Sequence, residues 1–203
     1  MEIQLDFFGG KAAVEEARAL DHRYYFTLVP PPALAQKMER GARMLALRHG
    51  VRKVVRAERQ HVSLHIVEKG REIAGDLLDD ALEIGNTIRR PGFEMAFDMV
   101  RTFGAKRSRG GVRAQYPIVL TCSNGARDAK AIYADIRQQM QRFGLSVGPR
   151  SMEPHLTIWY GPGKVPDLIL RRPFRWPVRS FWLVHTLPGM RRPEYLAEWP
   201  LSR

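Results

Sequence analysis

A single cysteine, Cys122, stands among 203 residues. With nothing inside the chain to pair with, a disulfide framework is excluded and a reducing compartment is the natural setting. Long apolar runs are missing too: none approaches the ~18 residues needed to span a bilayer. The opening stretch Met1 to Gly10 has no basic region leading into an apolar core, so no secretory signal is read there. The expectation is a soluble, cytoplasmic chain with no membrane partner. Acidic charge is short as well, with 21 Asp plus Glu against 33 Lys plus Arg and a formal net charge of +12. That excess bears on partners rather than on fold, and it favours an anionic ligand, nucleic acid first, although an Arg-rich coding habit would produce the same balance. No Gly-x-Ser-x-Gly elbow is present, which removes support for a hydrolase of that type. The basic, glycine-rich stretch from Gly104 to Ala114 lacks the spacing of a P-loop and reads as a solvated turn or a phosphate-contacting flap. His61-x-x-x-His65 lacks the glutamate of His-Glu-x-x-His, and no clear carboxylate set accompanies it. No metal and no cofactor is expected.

What is there is enough apolar material, 44% of the residues, to bury a core in one domain or two small lobes. Residues 11–22 are rich in alanine and charge and fit a short helix or a loosely held arm. Tyr24 to Val29 is aromatic and β-branched and is stopped by Pro30-Pro31-Pro32, the signature of a strand. From Ala33 to His49 the apolar residues recur at helical spacing, with proline at the start and Gly50 just past the end. A short strand-like run follows over Val51 to Arg56, then the strand carrying His61. Helical character returns over residues 70–90 and breaks at Pro91-Gly92, after which Phe93 to Val100 alternates as a half-buried strand does. Tyr116 to Ser123 reads as a strand, Arg127 to Phe143 as a helix closed by Gly144, and His155 to Tyr160 as another strand. The rest is rich in Pro and Arg, with a strand over Arg179 to Thr186, a Pro188-Gly189 turn and a last short segment to Trp199.

Two of these passes share one pattern. Thr27 and Thr121, Gly50 and Gly144, His61 and His155, and Ser63 and Thr157 are each 94 positions apart. A strand–helix–strand unit over about residues 24–70 therefore recurs, without a gap, over about 118–164. One duplication of this kind predicts a single bilobal domain over 1–203, with two similar lobes about a pseudo-twofold axis. Equivalent residues meet near such an axis.

The residues so brought together are His61-Val62-Ser63-Leu64 and His155-Leu156-Thr157-Ile158. In a strand the histidine and the hydroxyl two residues on share a face. With six histidines and thirteen Ser plus Thr in the chain, random placement gives about 0.4 His-x-Ser/Thr matches, so either alone is weak evidence. A matched pair in register with the other landmarks is the signal. Histidine titrates near neutrality, so one ring can take a proton from an attacking water or hydroxyl while the other gives one to the departing oxygen. The hydroxyls of Ser63 and Thr157 suit the non-bridging oxygens of a phosphate. A lone histidine in a strand is more often a hydrogen-bonded structural residue, and His22, His49 and His185 have no Ser or Thr two positions on. By parity His65 shares the face of His61 and reads as a rim or packing residue. Trp159, its counterpart in the repeat, is expected on the histidine face, where it can stack on a base or pack. Tyr160 and Arg150 join it as candidate substrate contacts. Cys122 reads as a packing residue.

Paired His-x-Ser/Thr motifs in duplicated strand–helix–strand units resemble the two-histidine (2H) phosphoesterase superfamily, and within it the RNA 2′,3′-cyclic phosphodiesterase / 2′-5′ RNA ligase family. The resemblance covers roughly residues 24–199. It implies a bilobal α+β fold with antiparallel sheets lining a central cleft, and no metal requirement. It implies that His61, Ser63, His155 and Thr157 are catalytic, with His155 activating the nucleophile and His61 protonating the leaving oxygen. The implied substrate is RNA or a nucleotide ending in a 2′,3′-cyclic phosphate, hydrolysed to a 2′-phosphate by a monomer. Reversible joining of such an end to a 5′-hydroxyl, a 2′-5′ RNA ligase activity, is implied as well. Two departures stand out: Ser63 replaces the threonine common in the first motif, and Trp159-Tyr160-Gly161 replaces an arginine that many bacterial relatives carry after the second. Two alternatives remain open at this point. One is a phosphodiesterase for another cyclic or 2′-5′-linked small nucleotide, and the other an RNA-binding module that no longer turns over.

Overall fold

A computed structural model of the chain describes residues 22–107 and 114–202. The described residues form strand β1 (Arg23–Leu28), helix α1 (Pro32–Arg48), a 3-10 turn (Ala57–Arg59), β2 (Val62–Lys69), α2 (Gly75–Thr87), β3 (Phe93–Thr102) and the two-residue β4 (Lys106–Arg107). They continue with β5 (Ala114–Asn124), α3 (Ala126–Arg142), β6 (His155–Gly161), β7 (Leu168–Val178), β8 (Ser180–Thr186) and β9 (Glu194–Pro200). The class is α+β with an antiparallel sheet, as the family resemblance implies.

Helix α1 starts where Pro31 and Pro32 end the preceding strand, and proline at the first helical turn loses no hydrogen bond that the helix would have made. α1 and α3 are both 17 residues long, and their first residues are 94 apart. Both are followed by a glycine in the left-handed region, Gly50 at φ +68° and Gly144 at φ +71°. A residue with a Cβ is strained when it turns the chain there, which is why glycine punctuates both copies.

All pairings between named strands are antiparallel, in the order β7-β3-β5-β6-β2-β1-β8-β9, with β4 on β5. β2 and β6 join through the single pair Val62↔Leu156, whereas the pairings on either side of that junction run for five or more residues. The sheet is thus two four-strand halves touching at one point. Val62 and Leu156 are themselves 94 apart, so the pseudo-twofold passes between them.

The helices cover the face away from the site. Met38, Ala42 and Leu45 of α1 lie with Val100, Leu120 and Ile158, so the first repeat's helix packs on the second half-sheet. α3 buries Ala129, Ile132, Ile136 and Met140, and packs chiefly on β2 of the first. This exchange merges both halves into one apolar core.

Two segments differ from expectation. Val51 to Arg56 is coil, not strand, and is tied down by the Val55 N–H donating to the Ile158 carbonyl at 2.7 Å. β7, an 11-residue strand, occupies the Pro- and Arg-rich stretch in which no strand is expected from sequence. It tolerates Pro173 and Pro177 because it is the edge of the sheet, where a missing N–H breaks no ladder. The arm or helix expected over 11–22, apart from its last residue, and the centre of the Gly104–Ala114 loop lie outside the described residues.

Candidate active site

Extending the antiparallel register from Val62↔Leu156 sets His61 opposite Thr157 and Ser63 opposite His155. Val62 and Leu156 themselves point into the core, fully buried, so the four flanking residues share the other face. All four line one cleft of about 550 Å³. Opposite residues in such a pair have Cβ atoms about 4.5–5.5 Å apart and diagonal ones about 7–8 Å, so each histidine adjoins the other strand's hydroxyl and lies diagonal to its twin. The site is crossed, not side by side.

The two rings are held alike. His61 donates its Nδ1–H to the Arg59 carbonyl at 2.8 Å, and His155 donates its own to the Glu153 carbonyl at 2.7 Å. Arg59 and Glu153 are again 94 apart. A carbonyl can only accept, so Nδ1 carries a proton in both rings. Burial pushes the His61 pKa below the ordinary imidazole range. The hydrogen bond to the Arg59 carbonyl opposes that shift, while the charges of His155 and Arg59 add to it.

Each strand carries a bulge just past its motif, and this redistributes the residues that follow. β1–β2 pairing steps from Phe26↔His65 to Thr27↔Ser63, leaving Leu64 as the extra residue. β5–β6 pairing steps from Ile118↔Trp159 to Val119↔Thr157, leaving Ile158. Leu64 and Ile158 are a further pair 94 apart. An inserted residue inverts the alternation beyond it. Trp159, expected on the histidine face by parity, is therefore turned into the core at 1% exposure, and Tyr160 takes the place on the cleft wall. His65 likewise leaves the face of His61, while Ile66 joins the cleft. His65 stacks on Tyr133 with ring centroids 5.3 Å apart, and its Nε2 accepts the Gly148 N–H at 3.1 Å. Arg150 is exposed in the loop before β6 and does not line the cleft.

Sequence reasoning missed five residues around the pair. The Tyr25 ring lies 5.1 Å from that of His61, and the Phe103 ring 4.7 Å from that of His155. Burial pushes the Tyr25 phenol up to about 12, so it remains a hydrogen-bond donor at neutral pH. Arg23, Arg56 and Arg59 also line the cleft and place positive charge beside both motifs. Tyr25 had a signal, the parity of the Tyr24–Val29 strand; Arg56 and Arg59, outside any strand, had none. Among the described residues no group of three or more His, Cys, Asp or Glu converges as a metal site, and no helix is long and apolar enough to cross a membrane. Cys122 is buried, and burial pushes its thiol up to about 11.

No family model and no curated protein matches the sequence. Solved structures do match. E. coli LigT complexed with 3′-AMP is 21% identical at a TM-score of 0.65, covering 90% of this chain and 99% of that one. TT0787 of Thermus thermophilus is 16% identical at 0.67, covering 88% and 97%. A protein described as a phosphoesterase is 17% identical at 0.62, covering 90% and 99%. At such identities the likeness is one of fold, and it extends over almost the whole of both chains. The chain has the fold of the two-histidine phosphoesterases.

Proposed function

We propose that the chain is a metal-independent phosphodiesterase that opens 2′,3′-cyclic phosphates of RNA or nucleotides to 2′-phosphates. The observation that carries the reading is the crossed pair of histidines on one cleft, each with Nδ1–H tied to the carbonyl two residues back and each beside the other strand's hydroxyl. A water is deprotonated by one Nε2 and its oxygen bonds to phosphorus. The bond from phosphorus to O3′ breaks, and O3′ takes a proton from the other Nε2. Ser63 and Thr157, each opposite a histidine, donate to the non-bridging oxygens, and the cleft arginines attract the anion. With a 5′-hydroxyl in place of water, the same steps join a cyclic end in a 2′-5′ linkage, and their reversal cleaves that linkage. The lowered pKa of His61 keeps it neutral at pH 7, which suits the accepting role in hydrolysis. That inverts the assignment the resemblance carries. E. coli LigT is described in complexes with 3′-AMP, ATP and NADP+, which supports a nucleotide as the ligand here.

The test is hydrolysis of a 2′,3′-cyclic mononucleotide with EDTA present, by the wild type and by His61→Ala and His155→Ala. The expected result is a 2′-phosphate product, no effect of the chelator, and a loss of ~10²–10⁴ in rate for each variant. Full activity in either variant, or abolition by EDTA, overturns the mechanism.

A further inference from the structure

A second cavity, of about 600 Å³, lies across the Val54–Arg59 segment from the histidines. Val54, Val55, Arg56 and Arg59 line the cleft, and Ala57 and Glu58, between them, line the cavity. The 3-10 turn is thus a partition with a side in each. It is fixed there: the Glu39 carboxylate accepts the Ala57 N–H at 2.7 Å, and the Arg59 guanidinium donates to the Met190 carbonyl at 3.0 Å.

The cavity is lined by α1 residues Ala35, Gln36 and Glu39 on one side and by Trp182 and Tyr195 of the sheet on another, and these two aromatics belong to the face that carries the motifs. Thr27 pairs with both Ser63 and Trp182, so Trp182 sits on the Ser63 side of the pleat. Tyr25 pairs with Val184, and Val184 with Tyr195, which places Tyr195 there too. Neighbouring strands are ~4.8 Å apart, so Tyr195 lies about 10 Å across the sheet from Tyr25. Trp182 and Tyr195 meet edge to face with centroids 5.2 Å apart, and Tyr195 is 43% exposed. Arg179 and Arg192 also line the cavity, and among the described residues neither makes an ion pair.

We propose that this cavity is a nucleobase site for an RNA strand whose cyclic end occupies the histidine cleft. The inference rests on the function proposed above and narrows its substrate to an oligonucleotide. An aromatic pair with Tyr195 exposed and Trp182 half-buried offers ring surface to a base without demanding its identity, and the cavity arginines suit the phosphates on either side. Arginines line both compartments, Arg56 and Arg59 in the cleft and Arg179 and Arg192 in the cavity, and the two carboxylates on the cavity wall, Glu39 and Glu58, are paired with Arg43 and Arg191. A cyclic mononucleotide fills the first compartment and cannot reach the second.

The experiment compares the wild type, Trp182→Ala and Tyr195→Ala on a 2′,3′-cyclic mononucleotide and on single-stranded oligoribonucleotides of two to eight residues ending in a 2′,3′-cyclic phosphate. One base stacked on an aromatic side chain is worth ~1–3 kcal/mol, or roughly 5- to 150-fold. The expected loss in kcat/KM for Trp182→Ala is of that order on the longer oligonucleotides, nil on the mononucleotide, and restored in Trp182→Phe. An equal loss on both substrates, or none on either, overturns the proposal. A second arm does not depend on turnover: hexaadenylate with free hydroxyl ends is titrated into the His61→Ala protein, followed by tryptophan fluorescence. If no cyclic phosphate is opened but hexaadenylate binds and Trp182→Ala weakens it, the base site stands and the catalytic reading falls. Binding indifferent to both aromatic substitutions removes RNA from the cavity and leaves a protein segment as its occupant.

Discussion

The ring beside His61 is that of Tyr25 and the ring beside His155 is that of Phe103, while Arg23, Arg56, Arg59 and Tyr160 line the cleft the two share. The two strands agree in the histidine, the hydroxyl, the carbonyl that fixes the ring and the bulge that follows, all at one offset. Their surroundings do not agree. The ring against His61 is a phenol and the ring against His155 a plain phenyl. Duplication preserved two rings fixed alike through Nδ1 on one cleft. It released the neighbours, which under the proposed function meet different parts of a substrate lacking twofold symmetry.

That division is broken most directly by exchanging the shared residues for alanine. His61→Ala and His155→Ala should each lower kcat by ~10²–10⁴ with the fold intact, since each removes a proton carrier and neither side chain is deep in the core. The measurement is steady-state hydrolysis alongside circular dichroism. Near-equal losses support a symmetric pair; loss in only one leaves a single-histidine mechanism.

The position just past each bulge sharpens the contrast in stability. Trp159→Ala empties a fully buried aromatic site and should cost ~3–5 kcal/mol. His65→Ala, at the equivalent position, gives up the bond from Gly148 and the stack on Tyr133. Gly148 is exposed and water can replace the lost acceptor, so the cost should be ~1–2 kcal/mol. Urea unfolding measures both, and a smaller loss for Trp159→Ala than for His65→Ala would contradict the packing described. The hydroxyls come next. Ser63→Ala and Thr157→Ala should each cost about 10² in kcat, as removal of one oxyanion donor does. An unchanged kcat in either variant would show that its hydroxyl does not touch the phosphate.

The repeat, both helices, the class of fold and the paired motifs were legible because they rest on local pattern: glycine after a helix, proline before it, alternation in strands. What parity could not see was a bulge. It adds one residue without changing composition, so Trp159 and His65 were read onto the wrong face and Tyr160 and Ile66 had to be found in three dimensions. β7 was missed because Pro173 and Pro177 argue against a strand unless it is known to be an edge. Arg56 and Arg59 reach the cleft from coil, where no periodicity marks a face. The candidate site was thus readable at its chemical centre and unreadable at its rim, since the centre repeats and the rim does not.

The smallest effect expected is on stability as pH falls, and it too separates the halves. Burial lowers the His65 pKa, outweighing its hydrogen bond to the Ile66 carbonyl, and the charge of Arg137 adds to the shift. Its counterpart Trp159 has no proton to gain. A group whose pKa is lower in the folded chain binds more protons unfolded across the interval between the two values, so stability rises with pH there. The contribution of a neutral, buried His65 is complete above the unfolded value near 6.5 and is lost as pH falls from there toward the lower folded value. His61, lowered in the same direction, adds to the same slope. The urea midpoint of the wild type should therefore drop between pH 7.5 and pH 5. His65→Gln should flatten that drop, because glutamine fills the site without titrating, whereas Trp159→Phe should lower the midpoint at every pH and leave the slope alone. If His65→Gln is as steep as the wild type, the ring is solvated enough to charge without cost and its packing against Tyr133 contributes nothing to the pH dependence.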